Sequence, residues 1–290
     1  MDEFQPPTAA PRPTERGPLI VAHRGASTEA PEHTYAAYVA AVQAGADALE
    51  CDVRLTADGH LVCVHDRRVN RTSNGTGLVS GLELARLQEL DFGFRHQSLD
   101  GSASGEEPDL DARGVLTLRR LLDLVADQPR RVELAIEVKH PTRYAGRVEH
   151  VLVELLDEYG WAPRRHEESC PVLVMSFSAS AVRRVRRLAP GLRTVFLMES
   201  IVYLARAGAL PRGVPIAGPA IEILRTRPEA VRRWHRAGHE VHVWTVDEPA
   251  DFELCRALGV DAVITNRPRA MLRALSGVVR SHADRDRLTR

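Results

Sequence analysis

Four short segments of this 290-residue chain hold side chains that could do chemistry together: His23-Arg24, Glu50-Cys51-Asp52, His65-Asp66 and Glu137-Val138-Lys139. Each lies in or just after a short apolar run. Glu50 and Asp52 stand at i and i+2, as do Glu137 and Lys139, so on a strand each pair shares one face. Three carboxylates facing inward on neighbouring strands repel one another unless something neutralises them. A hard divalent cation is the simplest neutraliser, and an all-oxygen donor set suits Mg²⁺ or Ca²⁺ better than zinc. The bland alternative is an ion-pair network, Glu50 with Arg24 and Glu137 with Lys139, which explains any single strand carboxylate well. It explains three of them beside two histidines less well. His23 and His65 titrate near neutral pH and suit a general acid–base pair. Arg24 and Lys139 suit an anionic substrate, phosphate above all.

Lys139 is singled out by composition as well. The chain has 39 basic residues, and Lys139 is the only lysine among them. Compositional bias towards arginine is the plain explanation. The competing one is chemical: an ammonium is compact, whereas a guanidinium would bring a wide fork into a crowded, metal-bearing site.

The elements that must position these residues alternate between short β-rich runs and longer helical ones. Strands are expected at Leu19 to Ala22, Ala48 to Leu55, Leu61 to Val64, Val132 to Val138, Val172 to Met175, Thr194 to Leu197, Val214 to Ile221, Glu240 to Thr245 and Ala262 to Ile264. Helices fall between most of them, the first from His33 to Ala44 with Gly45 as its stop. Such alternation means a parallel sheet covered by helices. With no G-x-G-x-x-G after the first strand, it favours an α/β fold of the TIM (β/α)8 barrel type, whose active site lies at the C-terminal ends of the strands. Nine strand candidates are one too many, and Val214 to Ile221 is the weakest of them. The link between the second and third strands is too short for a helix, so that crossover is expected to be degenerate. Residues 67–114 are polar and Gly-rich and read as an insertion over the barrel mouth, with a flexible piece from Ser98 to Asp111. Residues 18–280 would form the barrel, between a Pro-rich N-terminal tail (1–17) and a polar C-terminal tail (281–290).

The balance of 39 basic and 39 acidic residues argues against a general nucleic-acid binder. No run approaches the roughly 18 apolar residues of a membrane span, so no stable membrane insertion is expected. Cys51, Cys63, Cys170 and Cys255 show no C-x-x-C spacing and sit in or beside apolar runs, which suits free thiols in a cytoplasmic protein. Cys51, of opposite parity to Glu50 and Asp52, should face the helices. His235, His239 and His242 could be drawn as a metal cluster, but Gly238 interrupts them and a strand follows. The oligomeric state is not legible.

The pieces HRGASTEAPEHT, ALECDVRLTADGHLVCVHD and NRTSNGTG, with the later AIEVKHP, MSFS, VHVWTVDEP and GVDAVITNRP, resemble the glycerophosphodiester phosphodiesterase family. The ordered set H-R-G, E-x-D, H-D and E-x-K is the specific part, and the resemblance runs from about Leu19 to Arg273. It implies a distorted TIM barrel with an insertion after the third strand, and metal-dependent hydrolysis of a small glycerophosphodiester to glycerol 3-phosphate and an alcohol. By resemblance the metal ligands are Glu50, Asp52 and Glu137, and the acid–base pair is His23 and His65. Arg24 and Lys139 would contact phosphate, Trp244 would pack on glycerol or leaving group, and Glu29 matches an acidic residue following H-R-G. In the family's mechanism a glycerol hydroxyl attacks phosphorus, and water opens the resulting cyclic phosphate. Two positions depart from the pattern: His33 stands where Asn is usual, and Asn266 where Asp is usual. The alternatives are a phospholipase D-type hydrolase acting on lysophospholipids and a binding barrel without turnover. The polar insertion favours a small soluble substrate, and the intact residue set speaks against the binding barrel.

Overall fold

The computed structural model describes residues 17–94, 109, 113–167, 169–200 and 210–276. Both expected tails, apart from Gly17, and the segment Ser98 to Asp111, apart from Asp109, lie outside the described residues.

Nine strands form one sheet: β1 (Leu19–His23), β2 (Ala48–Leu55), β3 (Leu61–Cys63), β4 (Glu133–Val138), β5 (Val172–Ser176), β6 (Arg193–Met198), β7 (Ile216–Pro219), β8 (Glu240–Val243) and β9 (Ala262–Thr265). All but β3 are parallel to their neighbours, and β1 pairs with both β9 and β2, which closes the sheet into an eight-stranded barrel. The surplus strand is therefore β3 and not the segment Val214 to Ile221, whose central residues form β7 between β6 and β8. No crossover joins β2 to β3 either, because they form an antiparallel hairpin with Val53 opposite Cys63 and Leu55 opposite Leu61. Thr56 organises its turn, accepting from His60 N at 2.8 Å and donating to Asp58 at 2.6 Å. The hairpin has a functional result. It folds the chain back until Val64 N–H bonds the Asp52 carbonyl at 3.0 Å, which brings His65 level with the β2 carboxylates.

Strand parity sorts the side chains into two layers. Val21, Ala48, Ala135, Leu173, Met175, Val195, Leu197, Ile216, Ala262 and Ile264 form one buried cluster, the floor of the barrel interior. The alternate residues, among them Leu49, Cys51, Val53, Leu134 and Ile136, pack outward against helix residues such as Tyr38, Leu121 and Leu152. Cys51 therefore faces the helices, as its parity requires. Glu50, Asp52, Glu137 and Lys139 continue the inward rows of β2 and β4 towards the mouth. Beyond β3, residues 69–92 build a small satellite core from Val69, Val79, Leu87, Leu90 and Phe92 against Val62 and Val64. The helix that follows β1 is Tyr35–Ala44, two residues shorter than expected at its start because Thr34 caps it, accepting from Ala37 N at 3.3 Å.

The turn after β1 carries the H-R-G segment. Arg24 and Gly25 both have positive φ, 59° and 83°, and a Cβ on Gly25 would lie 2.6–2.8 Å from Ala37 C, Cβ and O. Backbone cannot yield as a side-chain tip can, so only glycine fits. Gly25→Ala is expected to cost about 2–3 kcal/mol, lowering the thermal midpoint by roughly 5–10 °C in differential scanning calorimetry.

Candidate active site

Register fixes the first contacts of the site. In the parallel ladder His23 on β1 lies opposite Glu50 on β2, and Asp52 lies opposite Glu137 on β4. One oxygen from each of Glu50, Asp52 and Glu137 can be chosen so that all lie within 4.8 Å of one another, and all three residues are buried. Lys139 Nζ sits between two of them, 2.9 Å from Asp52 Oδ1 and 2.8 Å from Glu137 Oε1. Arg24 is held through its backbone N–H to Glu50 Oε2 at 3.0 Å, and its Nε lies 3.0 Å from Asp52 Oδ2. That Nε–Oδ2 approach is off the hydrogen-bond axis, so it acts as charge attraction. Glu50, Glu137, Lys139 and Arg24 face a cavity of about 240 Å³, shared with His23, His65, Met175, Phe177, Leu197, Glu199, Trp244, Thr245 and Ile264, while Asp52 lies fully buried behind them.

The charges explain what the cavity can hold. Burial, reinforced by the charge of Asp52, pushes Glu50 well above the usual carboxylate range. The same two causes push Glu137 up to about 7 despite Lys139 beside it. Burial would raise Asp52 too, but the hydrogen bond from His33 and the charges of Lys139 and Arg24 outweigh it and hold Asp52 well below its ordinary value. With all three ionised, as a bound cation would hold them, the carboxylates together with Lys139 and Arg24 would carry one net negative charge. A divalent cation converts that to one net positive charge, the complement of a phosphodiester monoanion. The donor set is all oxygen, and the buried Asp52 Oδ1 accepts no well-aligned hydrogen bond among the described residues. Both features fit a hard divalent cation.

The two histidines sit in unlike surroundings. His23 Nδ1 lies 2.8 Å from Asn266 Oδ1, and Asn266 Nδ2 donates to Asp247 Oδ2 at 2.5 Å. A carboxylate only accepts, so Asp247 fixes the Asn266 amide, which in turn requires the proton of His23 on Nδ1. The Nε2 lone pair then faces the cavity, 4.0 Å from Glu50 Oε2. Burial and the Arg24 charge lower the His23 pKa to about 4, so its ring is neutral at pH 7. His65 is also lowered, by burial first, but it is about a third exposed and its Nδ1 is tied to Asp66 Oδ1 at 2.6 Å. Arg54 clamps the His65 carbonyl at 2.6 and 2.9 Å.

The structure brings eight of the nine expected residues to this mouth, Trp244 among them. The Trp244 ring stands edge-on to Phe177 at 5.3 Å and donates Nε1–H to the Gly218 carbonyl at 2.8 Å. Glu29 is the exception. It points outward to a three-contact ion pair with Arg269 at 3.1–3.2 Å, and the acid that turns inward from this loop is Glu32, on Arg24 at 3.2 Å and Arg71 at 2.7 Å. Arg71 also binds Asp66, so the β1 loop and the His65 turn are riveted together. His33 was legible only as a departure from a pattern. Its φ of 60° is a conformation that Asn and His both enter, and its ring spans Tyr38 OH and Asp52 Oδ2, each at 2.8 Å. Burial lowers its pKa, and because a carboxylate only accepts, the ring donates Nε2–H to Asp52. Glu199, two residues after Leu197, could have been found by the same parity that gave Glu137. His235 pairs with Asp261 and His242 with Glu240, so no histidine cluster forms there.

His33→Leu removes one donor from buried Asp52 and should cost about 1–3 kcal/mol, measured by urea unfolding. His33→Asn should cost less than half as much, since Asn tolerates positive φ and keeps an N–H donor. Equal losses in the two variants would refute this role for the His33–Asp52 bond.

Residues 23–270 match the model of the Glycerophosphoryl diester phosphodiesterase family. The chain is 47% identical over 251 residues to the Mycobacterium tuberculosis protein named probable glycerophosphodiester phosphodiesterase 1, spanning 87% of this chain and 90% of that one. It is 32% identical over 254 residues to a glycerophosphodiester phosphodiesterase of Caldanaerobacter subterraneus, spanning 88% and 96%. The crystal structure of glycerophosphodiester phosphodiesterase from Agrobacterium tumefaciens superposes with a TM-score of 0.67 at 27% identity, covering 88% of this chain and 99% of that one. An Oleispira antarctica phosphodiesterase in complex with the product sn-glycerol-3-phosphate shares the fold, with a TM-score of 0.73 at 24% identity over 90% and 97% of the two chains. The matched span opens on His23 and runs past Asn266, so it takes in the whole of this mouth, and the chain belongs to the glycerophosphoryl diester phosphodiesterase family.

Proposed function

We propose that this protein hydrolyses small glycerophosphodiesters to glycerol 3-phosphate and an alcohol, with His23 and His65 as the acid–base pair. The observation that carries this reading is the meeting of Glu50, Asp52 and Glu137 with Lys139, Arg24 and both histidines around one cavity. A divalent cation, Mg²⁺ or Ca²⁺, held by the three carboxylates would neutralise them and polarise the phosphoryl group. Arg24 and Lys139 add positive charge where the phosphate would sit. Phe177 and Trp244 supply an apolar lip for the glycerol carbons, and Glu199 an acceptor for a hydroxyl. Apart from Met175, Leu197 and Ile264 the rest of the lining is charged or polar, which favours a small soluble diester over a lysophospholipid.

The histidine surroundings divide the labour. Neutral His23, with its lone pair on Nε2, takes the proton from the glycerol hydroxyl next to the phosphoester. That oxygen forms a bond to phosphorus, the bond from phosphorus to the alcohol oxygen breaks, and His65 delivers a proton to the departing oxygen. Asp66 on Nδ1 opposes the lowering of the His65 pKa by burial, which supports the protonated form that this step needs. In the second step the roles reverse. His65 takes a proton from water, the water oxygen opens the cyclic phosphate, and His23 returns its proton to the glycerol oxygen. The alcohol and glycerol 3-phosphate account for every atom.

Incubation with glycerophosphocholine and Mg²⁺ or Ca²⁺ should release glycerol 3-phosphate, and a chelator should abolish release. Glu137→Gln should lower kcat at least about 10²-fold while circular dichroism stays unchanged; wild-type rates would leave Glu137 a structural role only. Asn266→Asp places a carboxylate against His23 and raises its pKa. A base must be unprotonated to act, so the acidic limb of the kcat/KM profile should move to higher pH. An unmoved limb would show that His23 is not the base.

A further inference from the structure

A second, smaller cleft of about 30 Å³ opens beside the catalytic mouth, lined by Arg54, Arg67, Ser80, Thr142 and Arg143 among others. Lys139 lines both this cleft and the main cavity. Three guanidiniums converge here, and among the described residues no carboxylate lines the cleft. Nor is any of the three ion-paired among the described residues. Arg54 gives its hydrogens to the His65 carbonyl, Arg143 bonds the Ser80 carbonyl at 3.4 Å and lies 5.7 Å from the Tyr144 ring centroid, and the Arg67 side chain has no partner. Arg24, Arg71, Arg113, Arg193 and Arg225, by contrast, are each ion-paired. Three guanidiniums around a cleft that no described carboxylate lines form a seat for an anion. The space admits about two water-sized atoms, the size of the two oxygens of a carboxylate or of one edge of a phosphate.

Position says which part of a substrate would reach it. Arg54 holds the backbone of His65, so the cleft lies on the His65 side of the mouth. Of the lip assigned to glycerol, Phe177 follows β5, which adjoins β4 on the side away from β2 and the β3 hairpin, and Trp244 follows β8, across the ring from β4. In an in-line displacement the departing alcohol leaves opposite the attacking glycerol oxygen, towards the group that protonates it. We propose that this cleft receives a negatively charged group on the alcohol released, so that the preferred substrates are glycerophosphodiesters of anionic alcohols. The proposal rests on the assignment of His65 to the leaving oxygen.

Three diesters of glycerol 3-phosphate test it, with alcohols of similar size and different charge: choline, propane-1,3-diol and 3-hydroxypropanoate. With the full chain and added divalent cation, kcat/KM for the 3-hydroxypropanoate ester should exceed that for the propanediol ester about tenfold, and that for the choline ester by more. The preference should shrink as salt rises. In the double variant Arg67→Gln/Arg143→Gln the anion-to-neutral ratio should fall to within about twofold, and because both side chains are exposed, circular dichroism should match wild type. Equal kcat/KM for all three esters, or a ratio the double variant leaves untouched, would overturn the proposal. Absence of turnover on all three would instead overturn the glycerophosphodiesterase reading beneath it.

Discussion

Three carboxylates crowded onto the inward face of two adjacent parallel strands set the terms for everything around them. Glu50, Asp52 and Glu137 are buried within a few ångströms of one another, and burial penalises each charge. Lys139 and Arg24 lie against Asp52 to offset the penalty, and His33 spends its hydrogen bond on the same carboxylate. Even so, Glu50 and Glu137 are pushed up, so a positive charge entering the cluster would favour their ionised forms.

A second organising device is the β2–β3 hairpin. A regular barrel would deliver catalytic side chains only from the ends of its parallel strands. Here β3 runs back alongside β2, and His65 arrives from outside the ring, with Arg54 on its carbonyl and Asp66 on its ring. The Glu32–Arg71–Asp66 network locks that turn to the loop after β1. The two histidines therefore differ in exposure and in the partners that hold them. His23 is sealed against Asn266 inside the barrel, while His65 stands on a turn whose anchors are partly exposed ion pairs.

Much of this was legible in the chain because parity is local. Glu50/Asp52 and Glu137/Lys139 share a face wherever their segments are strands, and Cys51 must oppose them. The barrel followed from alternation, but which strand was surplus did not. Val214 to Ile221 looked weak because Ala217, Gly218 and Pro219 lack β-branched side chains, yet a fully enclosed strand needs little propensity of its own. The hairpin was hidden for a related reason: Ala57-Asp58-Gly59 signals a turn, but not whether the next strand enters the ring or doubles back. Glu29 and Glu32 sit three residues apart in one irregular loop, where no period says which acid turns inward. In the Asp247–Asn266–His23 chain, His23 and Asn266 stand 243 positions apart, and the arrangement has no local signature at all.

The lone lysine has a consequence outside catalysis. Lys139 carries the only side-chain amine in the chain, and it is held between two carboxylates at the base of the mouth with about a tenth of its surface exposed. A chemist coupling a dye, a bead or a crosslinker through amines would find no such handle anywhere on the outer wall of the barrel. Among the side chains, reagents of that kind report on one address, and a molecule filling the mouth shields it.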